Sequence, residues 1–236
     1  MKKISSLALA FIASGAFAQT LITEWNFNGV ASGLSATSPA PSTGTGTASL
    51  LGSTLTGEFS GGSPLDPAVT NDNRWGTRNF AAQGTDSGVY GARFNVSTVG
   101  QADIQVKYEH RFSNTSSRWS RFEYTLDGTT FTSAGFAHVE FENTAGGDAW
   151  NSRAFDFTAI NAADDNASFG FRIVSIFAPS TSAYSPSNPT SSYASTGTFG
   201  YDLVNVSSLN PVPEPASMAA LGLGVAGLLR RRVKKA

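Results

Sequence analysis

The chain of 236 residues has no cysteine, only two histidines, and charged side chains at 14% of its positions. The lack of cysteine excludes a disulfide scaffold, a cysteine protease and a cysteine-ligated zinc site. The sequence contains no nucleophile elbow, no His-Glu-x-x-His pair and no phosphate-binding glycine loop. The net charge of −1 provides no excess of basic residues, so we expect no nucleic-acid partner.

The few charges that are present are segregated along the chain. Seven of the 16 basic residues lie in the first three and last seven positions, whereas 16 of the 17 acids lie within residues 19–210. That middle segment carries nine basic residues and therefore a net charge of −7. The separation indicates that the two ends serve export and that residues 19–210 form the working domain.

The first 18 residues have the three parts of a secretory signal peptide. Lys2 and Lys3 form a positive region, residues 7–17 form an apolar stretch too short to span a bilayer, and Ala-Phe-Ala at 16–18 supplies a cleavage site. The sequence predicts removal of residues 1–18 by signal peptidase, which leaves a chain that begins at Gln19.

The C-terminal end has a comparable organisation. Pro213, Glu214 and Pro215 form a rigid segment that cannot continue a helix. Residues 216–229 are uncharged and mostly apolar, and Arg230, Arg231 and Arg232 follow directly. A helix of that length covers roughly 21 Å of a hydrocarbon layer about 30 Å thick, so we expect a marginal membrane helix with its arginines on the cytoplasmic side.

This order of parts resembles the PEP-CTERM sorting signal. The resemblance covers residues 211–236, with the motif Val-Pro-Glu-Pro-Ala at 212–216. It implies recognition by an exosortase, cleavage near Pro-Glu-Pro after transient insertion in the inner membrane, and delivery to the surface or matrix of a Gram-negative bacterium that makes exopolysaccharide. The predicted segments are a signal peptide (1–18), a domain (19–210) and a sorting signal (211–236).

Residues 19–210 show the two-residue alternation of half-buried strands, which is clearest over residues 101–111. Further strands are predicted at 21–27, 92–96, 121–126, 153–158, 167–177 and 198–206. The nearly continuous apolar run at 169–177 predicts a central strand, and Asp127-Gly128 predicts a hairpin that returns at 130–133. Without helical periodicity, the pattern predicts a single antiparallel β-sandwich of jelly-roll type.

Three long polar segments, residues 28–50, 60–89 and 179–197, are predicted as loops. The second contains Asp66, Asn71, Asp72, Arg74 and Trp75. Carboxylates, amides and an indole face suit a sugar, but Trp75 can equally fill the edge of the sandwich while the Asp and Asn residues form turns. The same oxygen-rich loop can instead hold Ca²⁺, although six or more ligands cannot be counted from spacing. No other cofactor is expected.

A second candidate site is the polar turn between Arg111 and Arg118. Two guanidinium groups can clasp an acidic sugar, or each can pair with a neighbouring carboxylate. Glu140 and Glu142 share a strand face and are the carboxylate pair considered for a hydrolase. Alternating threonines at 42–47 are compatible with an ice-binding strand or with a flexible linker.

These observations favour an exported, non-catalytic module that binds polysaccharide or has a structural role outside the cell. The alternatives are a secreted polysaccharide hydrolase with an Asp/Glu pair and, more weakly, an ice-binding protein. Because the domain carries a charge of −7, we expect a neutral glycan, or an acidic one held through bound cations or the Arg111/Arg118 region.

Overall fold

Strands make up nearly all the regular structure in the computed structural model, which describes residues 19–33, 35–66 and 71–211. Twelve β-strands and one 3₁₀ turn (Asn161–Ala163) are present in these ranges, and no helix there is long and apolar enough to cross a bilayer. The all-β prediction is therefore confirmed. The predicted signal peptide and the predicted C-terminal helix lie outside the described residues.

The strands pair only in antiparallel fashion and form two sheets. Their bounds are β1 Thr20–Trp25, β2 Thr43–Gly44, β3 Thr47–Leu51, β4 Leu55–Gly61, β5 Asn73–Arg78, β6 Gly91–Asn95, β7 Gln101–Phe112, β8 Trp119–Thr125, β9 Glu140–Glu142, β10 Ala149–Asp156, β11 Gly170–Ile176 and β12 Phe199–Pro211. The five-stranded sheet has the order β3-β6-β11-β8-β9. The seven-stranded sheet has the order β10-β7-β12-β1-β2, with β5 also on β12 and β4 on β5. The chain changes sheet repeatedly, for example from β2 to β3, from β5 to β6 and from β6 to β7.

The space between the sheets is filled mainly by aromatic rings. Phe94 and Phe171 of the five-stranded sheet stack at 5.3 Å, and Trp25 and Trp75 of the seven-stranded sheet meet Phe94 edge-on at 5.1 and 6.1 Å. Each of these four side chains is fully buried. Large rings bury 150–250 Å² apiece and so supply most of the hydrophobic free energy of a domain that lacks disulfides.

The strands predicted from strict alternation are confirmed. Residues 101–111 form β7, with Ile104, Val106, Tyr108 and Phe112 among its inward side chains. The apolar run at 169–177 forms β11, which lies at the centre of the five-stranded sheet as predicted. The hairpin at Asp127-Gly128 returns through only one bridge, between Tyr124 and Thr132, because the chain leaves the sheet before it forms β9.

The prediction of loops over residues 28–50 and 60–89 is wrong in part. These segments contain β2, β3, β5 and the end of β4. Gly and polar residues at alternate positions concealed the strands, because only inward residues such as Ala48 and Trp75 need to be apolar on a sheet with a solvent-facing side. The third segment, 179–197, contains no strand.

The threonine-rich residues 42–47 do not form one flat strand. Thr43 lies in the seven-stranded sheet and Thr47 in the five-stranded sheet, and Gly44 between them has a φ of +73°. The segment is the crossing between the two sheets, so its threonines do not share one face of a strand, and it is not a linker.

Strand β12 has two successive partners along one edge. Residues Phe199–Tyr201 pair with β5, whereas Val204–Ser208 pair with β1. Its pairing with β7 on the other edge is interrupted by a bulge between Asp202 and Asn205, where Leu203 has a φ of +45°. We refer to the position on β12 at which its partner changes from β5 to β1 as the fork.

His110 lies on the inward face of β7. Its ring is fully buried, lies 5.1 Å from Tyr201 in a stacked arrangement, and has no hydrogen-bond partner on either nitrogen. Burial, with a smaller contribution from Arg153, lowers the pKa of His110 well below 6.5. The folded domain therefore holds a neutral imidazole that the unfolded chain can protonate.

We predict that His110→Phe weakens acid destabilisation. Because the folded pKa is lowered, stability falls as the pH drops below about 6.5, and at pH 5 this group costs roughly 2 kcal/mol. Urea unfolding at pH 7 and pH 5 should show a smaller loss of unfolding free energy for the variant than for the wild type. Equal losses would contradict this account of His110.

Candidate functional site

Three carboxylates meet at the fork. Asp66 and Asp72 belong to the connection between β4 and β5, and Asp202 lies on β12 at the bulge. Each offers one oxygen, and these oxygens lie within 4.8 Å of one another. Two residues predicted from the loop, Asp66 and Asp72, are thus brought together, but Asp202 is distant in sequence and was not predicted.

The electrostatics of this carboxylate cluster are unfavourable. Burial, with contributions from Asp66 and Asp72, raises the pKa of Asp202 to about 7, although backbone N–H groups of Ser63 and Leu203 donate to its oxygens at 2.7 and 2.8 Å. Burial first, and then Asp66, also raises the pKa of Asp72. Negative charge is therefore concentrated at the fork and only partly compensated.

The surroundings of the cluster are rich in oxygen atoms. Asn28 donates from Nδ2 to Asp66 at 2.8 Å, while Asn28 Oδ1 and Asp72 Oδ1 are buried without a hydrogen-bond partner. A Cβ at Gly62 would collide with Asp72 Oδ1 and approach Asp202 Oδ2 to 2.8 Å, so glycine is required there. Carboxylate and amide oxygens are the ligands of hard cations such as Ca²⁺, and Asp66, Asp72 and Asp202 are the residues that would hold one.

The same cluster is poorly placed for proton transfer to a substrate. A glycosidase needs two carboxyl groups that both reach the scissile bond. Asp202 is the group with the raised pKa, but it is fully buried and both of its oxygens accept backbone hydrogen bonds. Its position therefore suits a structural or cation-binding role better than general acid catalysis.

The remaining residues of the predicted loop have other roles. Trp75 lies on β5 and is fully buried, so its indole cannot stack on a sugar, and the packing alternative is correct. Asn71 is an exposed turn residue with a φ of +61°. Arg74 projects from the outer face of β5 and donates from Nη1 to the carbonyls of Ser60 and Gly61, both at 2.7 Å.

Arg111 and Arg118 do not form one clasp. Arg111 Nη2 lies 2.5 Å from Asp148 Oδ1, and Arg118 Nε lies 2.9 Å from Glu142 Oε1. Each arginine thus has its own acidic partner, as the alternative in the sequence analysis proposed. Glu140 likewise lies 3.7 Å from Arg121, so Glu140 and Glu142 serve as ion-pair partners on β9.

A groove lies along the outer face of the seven-stranded sheet, and most of its accessible lining is apolar. One part, of about 280 Å³, is lined by Lys107, Glu109, Ser152 and Asn205 together with apolar Leu203 and neighbouring residues. A second part, of about 160 Å³, adjoins it because Lys107 and Asn205 line both, and it also contains Gln19, Leu21 and Ser207. We call the two parts together the β7 groove. It combines donors, acceptors and apolar patches.

Trp150 extends the β7 groove towards Arg111. The two residues are directly opposed between β10 and β7, on the face that carries Lys107 and Glu109, and Trp150 is only partly buried. The sequence prediction missed Trp150 because it began this strand at residue 153. Alternation over residues 149–156, with Phe155 facing inward, is the signal that would have placed Trp150 outward.

A larger cavity of about 350 Å³ lies beside β3 and β6 and is lined by Thr47, Arg93, Asn95 and other residues. Its polar groups already bond to one another, since Arg93 donates to Asn95 at 2.7 Å and Asn95 donates to Thr47 at 3.1 Å. The aromatic residue in its lining, Phe169, is fully buried. The β7 groove is therefore the better candidate for a ligand.

Comparison with known proteins identifies the C-terminal segment. Residues 211–233 match the PEP-CTERM protein-sorting motif. The chain is an exported protein with a PEP-CTERM sorting motif. This confirms the assignment made from Pro213, Glu214, Pro215 and the arginine cluster.

Among solved structures, the fold is similar to two β-sandwich domains. The CBM22-1 xylan-binding domain of Xyn10C from Paenibacillus barcinonensis aligns over 71% of this chain and 86% of its own length, with 8% identity and a TM-score of 0.38. The cleaved adhesin domain of Lys-gingipain from Porphyromonas gingivalis aligns over 70% and 99%, with 12% identity and a TM-score of 0.33. No curated protein sequence matches the chain.

We predict that Asp202→Asn stabilises the domain at high pH. Because the folded pKa of Asp202 is raised from 3.8 to about 7, the wild type loses stability as the pH rises through that interval. The full loss of unfolding free energy in the wild type is on the order of 4 kcal/mol. The variant avoids this loss but is destabilised by about 1 kcal/mol, because it lacks one hydrogen bond. Urea unfolding in EDTA should show the advantage at pH 8 and its disappearance at pH 4.5.

We also predict that Ca²⁺ raises the melting temperature at pH 8. A divalent cation relieves repulsion among Asp66, Asp72 and Asp202, and a ligand that binds only the folded state stabilises it by mass action. Thermal unfolding in 5–10 mM CaCl₂, about the range that a millimolar site requires, should exceed that in EDTA. Asp72→Asn should abolish the shift, and Asp86→Asn, an exposed aspartate elsewhere, should retain it.

Proposed function

We propose that the domain is a non-catalytic polysaccharide-binding module and that the chain of sugars lies in the β7 groove. The observation that carries the proposal is the groove itself, which runs beside the partly exposed Trp150. A groove with apolar surface, several polar side chains and an aromatic residue beside it suits the apolar ring faces and the hydroxyl groups of an extended sugar chain.

The chemistry of the lining supports a carbohydrate. Sugar hydroxyls both donate and accept hydrogen bonds; Lys107 offers donors and Asn205 both donors and acceptors, whereas Glu109, which also lines the groove, is buried. The apolar face of a sugar ring can rest on the Trp150 indole, which brings large contact area at low conformational cost. Rigid strands hold all four side chains, so little ordering entropy is lost on binding.

Export places this groove where extracellular polymers are found. We propose that an exosortase processes the sorting motif and that the domain is then retained at the cell surface or in the matrix of a Gram-negative bacterium. Exopolysaccharide is the partner we propose there. The accessible groove and the buried position of Asp202 both support a binding role in preference to hydrolysis.

We predict that Trp150→Ala weakens binding to polysaccharide at least about tenfold, because it removes the stacking surface while the core stays intact. The matched control is Trp119→Ala, which removes a partly buried tryptophan from the outer face of the other sheet. Affinity gel electrophoresis of the full chain against a panel of bacterial exopolysaccharides and plant glycans measures both variants.

Two results would refute the proposal. One is the absence of binding to every polysaccharide in the panel. The other is an equal loss in the Trp150 and Trp119 variants, which would place the ligand elsewhere or indicate a general loss of folding. Melting curves of both variants show whether a general loss of folding is the cause.

A further inference from the structure

Two arginines lie side by side next to the β7 groove. Arg74 crosses from β5 onto β12, where its Nε would lie 2.9 Å from a Cβ at Gly200, and the Arg111 Cβ would lie 3.3 Å from that same point. Only glycine at position 200 leaves room for this arrangement. The guanidinium of Arg74 is thereby held over the middle of the sheet, beside Arg111 on β7.

Nearby acids compensate the positive charge of this arginine pair only in part. Nη1 of Arg74 is used by two backbone carbonyls, its Nε is buried without a hydrogen-bond partner, and no carboxylate oxygen in the described ranges lies within 4 Å of it. Burial, and then the proximity of Arg111, lowers the pKa of Arg74. The pair therefore stays together in spite of like-charge repulsion and desolvation.

Asp148 is the one acid in contact with the pair, and its two oxygens are already engaged. It accepts from Arg111 at 2.5 Å and from Asn114 at 2.9 Å. It is half exposed. Glu58, Asp148 and Asp202 partly offset the lowering of the Arg74 pKa, but burial and the charge of Arg111 outweigh them.

A third cation lies on the same face of the sheet. Lys107 is the only lysine between residues 19 and 210, and it has no acid within 4 Å in the described part of the chain. On β7, Lys107 comes two positions before Glu109 and four before Arg111, so the backbones of Lys107 and Arg111 are roughly 13 Å apart. Three of the nine basic residues of a domain with a charge of −7 therefore lie on one face of the sheet, and Lys107 is the one of these three that lines the groove.

We infer that the β7 groove takes an acidic polysaccharide, with a carboxylate of one sugar bound by Arg74 and Arg111 and its chain continuing past Trp150 towards Lys107. This inference rests on the proposed function and specifies the class of glycan. Paired guanidinium groups match the planar carboxylate of a uronic acid with charge-assisted hydrogen bonds. Two of the three acids at the fork, Asp66 and Asp72, come from the β4–β5 connection, and Asp202 lies on β12 between β5 and β7.

The test compares polygalacturonate with carboxyl-reduced polygalacturonate, which has the same linkage without the charge. Binding of the full chain, kept soluble with a nonionic detergent, is measured by titration calorimetry in EDTA, so that no cation bridges the polymer to the carboxylate cluster. We expect the acidic form to bind about tenfold more tightly than the reduced form. Arg74→Gln and Arg111→Gln should each remove that preference and leave binding of the reduced form unchanged.

The control variant is Arg121→Gln, which makes the same change on the outer face of the five-stranded sheet and should keep the preference. If Arg74→Gln lowers the melting temperature, Arg111→Gln carries the test alone. Equal affinity for both glycans, or a preference that survives both substitutions, overturns the acidic subsite while the proposed function stands. Failure of the domain to bind any polysaccharide overturns both.

Discussion

The requirement that β12 pairs with two different strands along one edge organises the whole seven-stranded sheet. β5 and β1 cannot occupy the same stretch of that edge. The partner of β12 therefore changes near the bulge between Asp202 and Asn205. Bulges of this kind redirect side chains and commonly accompany functional sites. Here the bulge turns Asp202 towards Asp66 and Asp72, and the β7 groove lies against its other side.

The pleat of the sheet places the core residues and the candidate ligand-binding residues on opposite faces. On β7, Tyr108 and His110 enter the aromatic core, while Lys107, Glu109 and Arg111 lie on the outer face, where Lys107 is exposed, Arg111 partly exposed and Glu109 buried. A residue one position along the strand lies on the opposite face, which is why buried tryptophans and the partly exposed Trp150 occur in the same sheet. The rigid core fixes the outward side chains without contributing to binding itself.

Like charges are close together at and beside the fork. Three carboxylates converge at the fork, and Arg74 lies beside Arg111 nearby, where Asp202 partly compensates it; each cluster of like charges costs stability. Proteins retain such unfavourable clusters mainly where a ligand compensates them. A cation for the carboxylates and an anion for the arginines are the complementary ligands, and an acidic polysaccharide with its counterions brings both.

The sequence alone determined the C-terminal sorting motif, the all-β class and the strands with strict alternation, because these depend on local order and on a period of two residues. It also selected Asp66 and Asp72, but it could not pair them with Asp202, some 130 positions away. Arg74 and Trp75 are adjacent in the chain yet face opposite sides of β5. Only the tertiary structure decided which of these two residues is available to a ligand and that Trp150 lies opposite Arg111. Both depend on strand register, which arises from long-range pairing that no local pattern encodes.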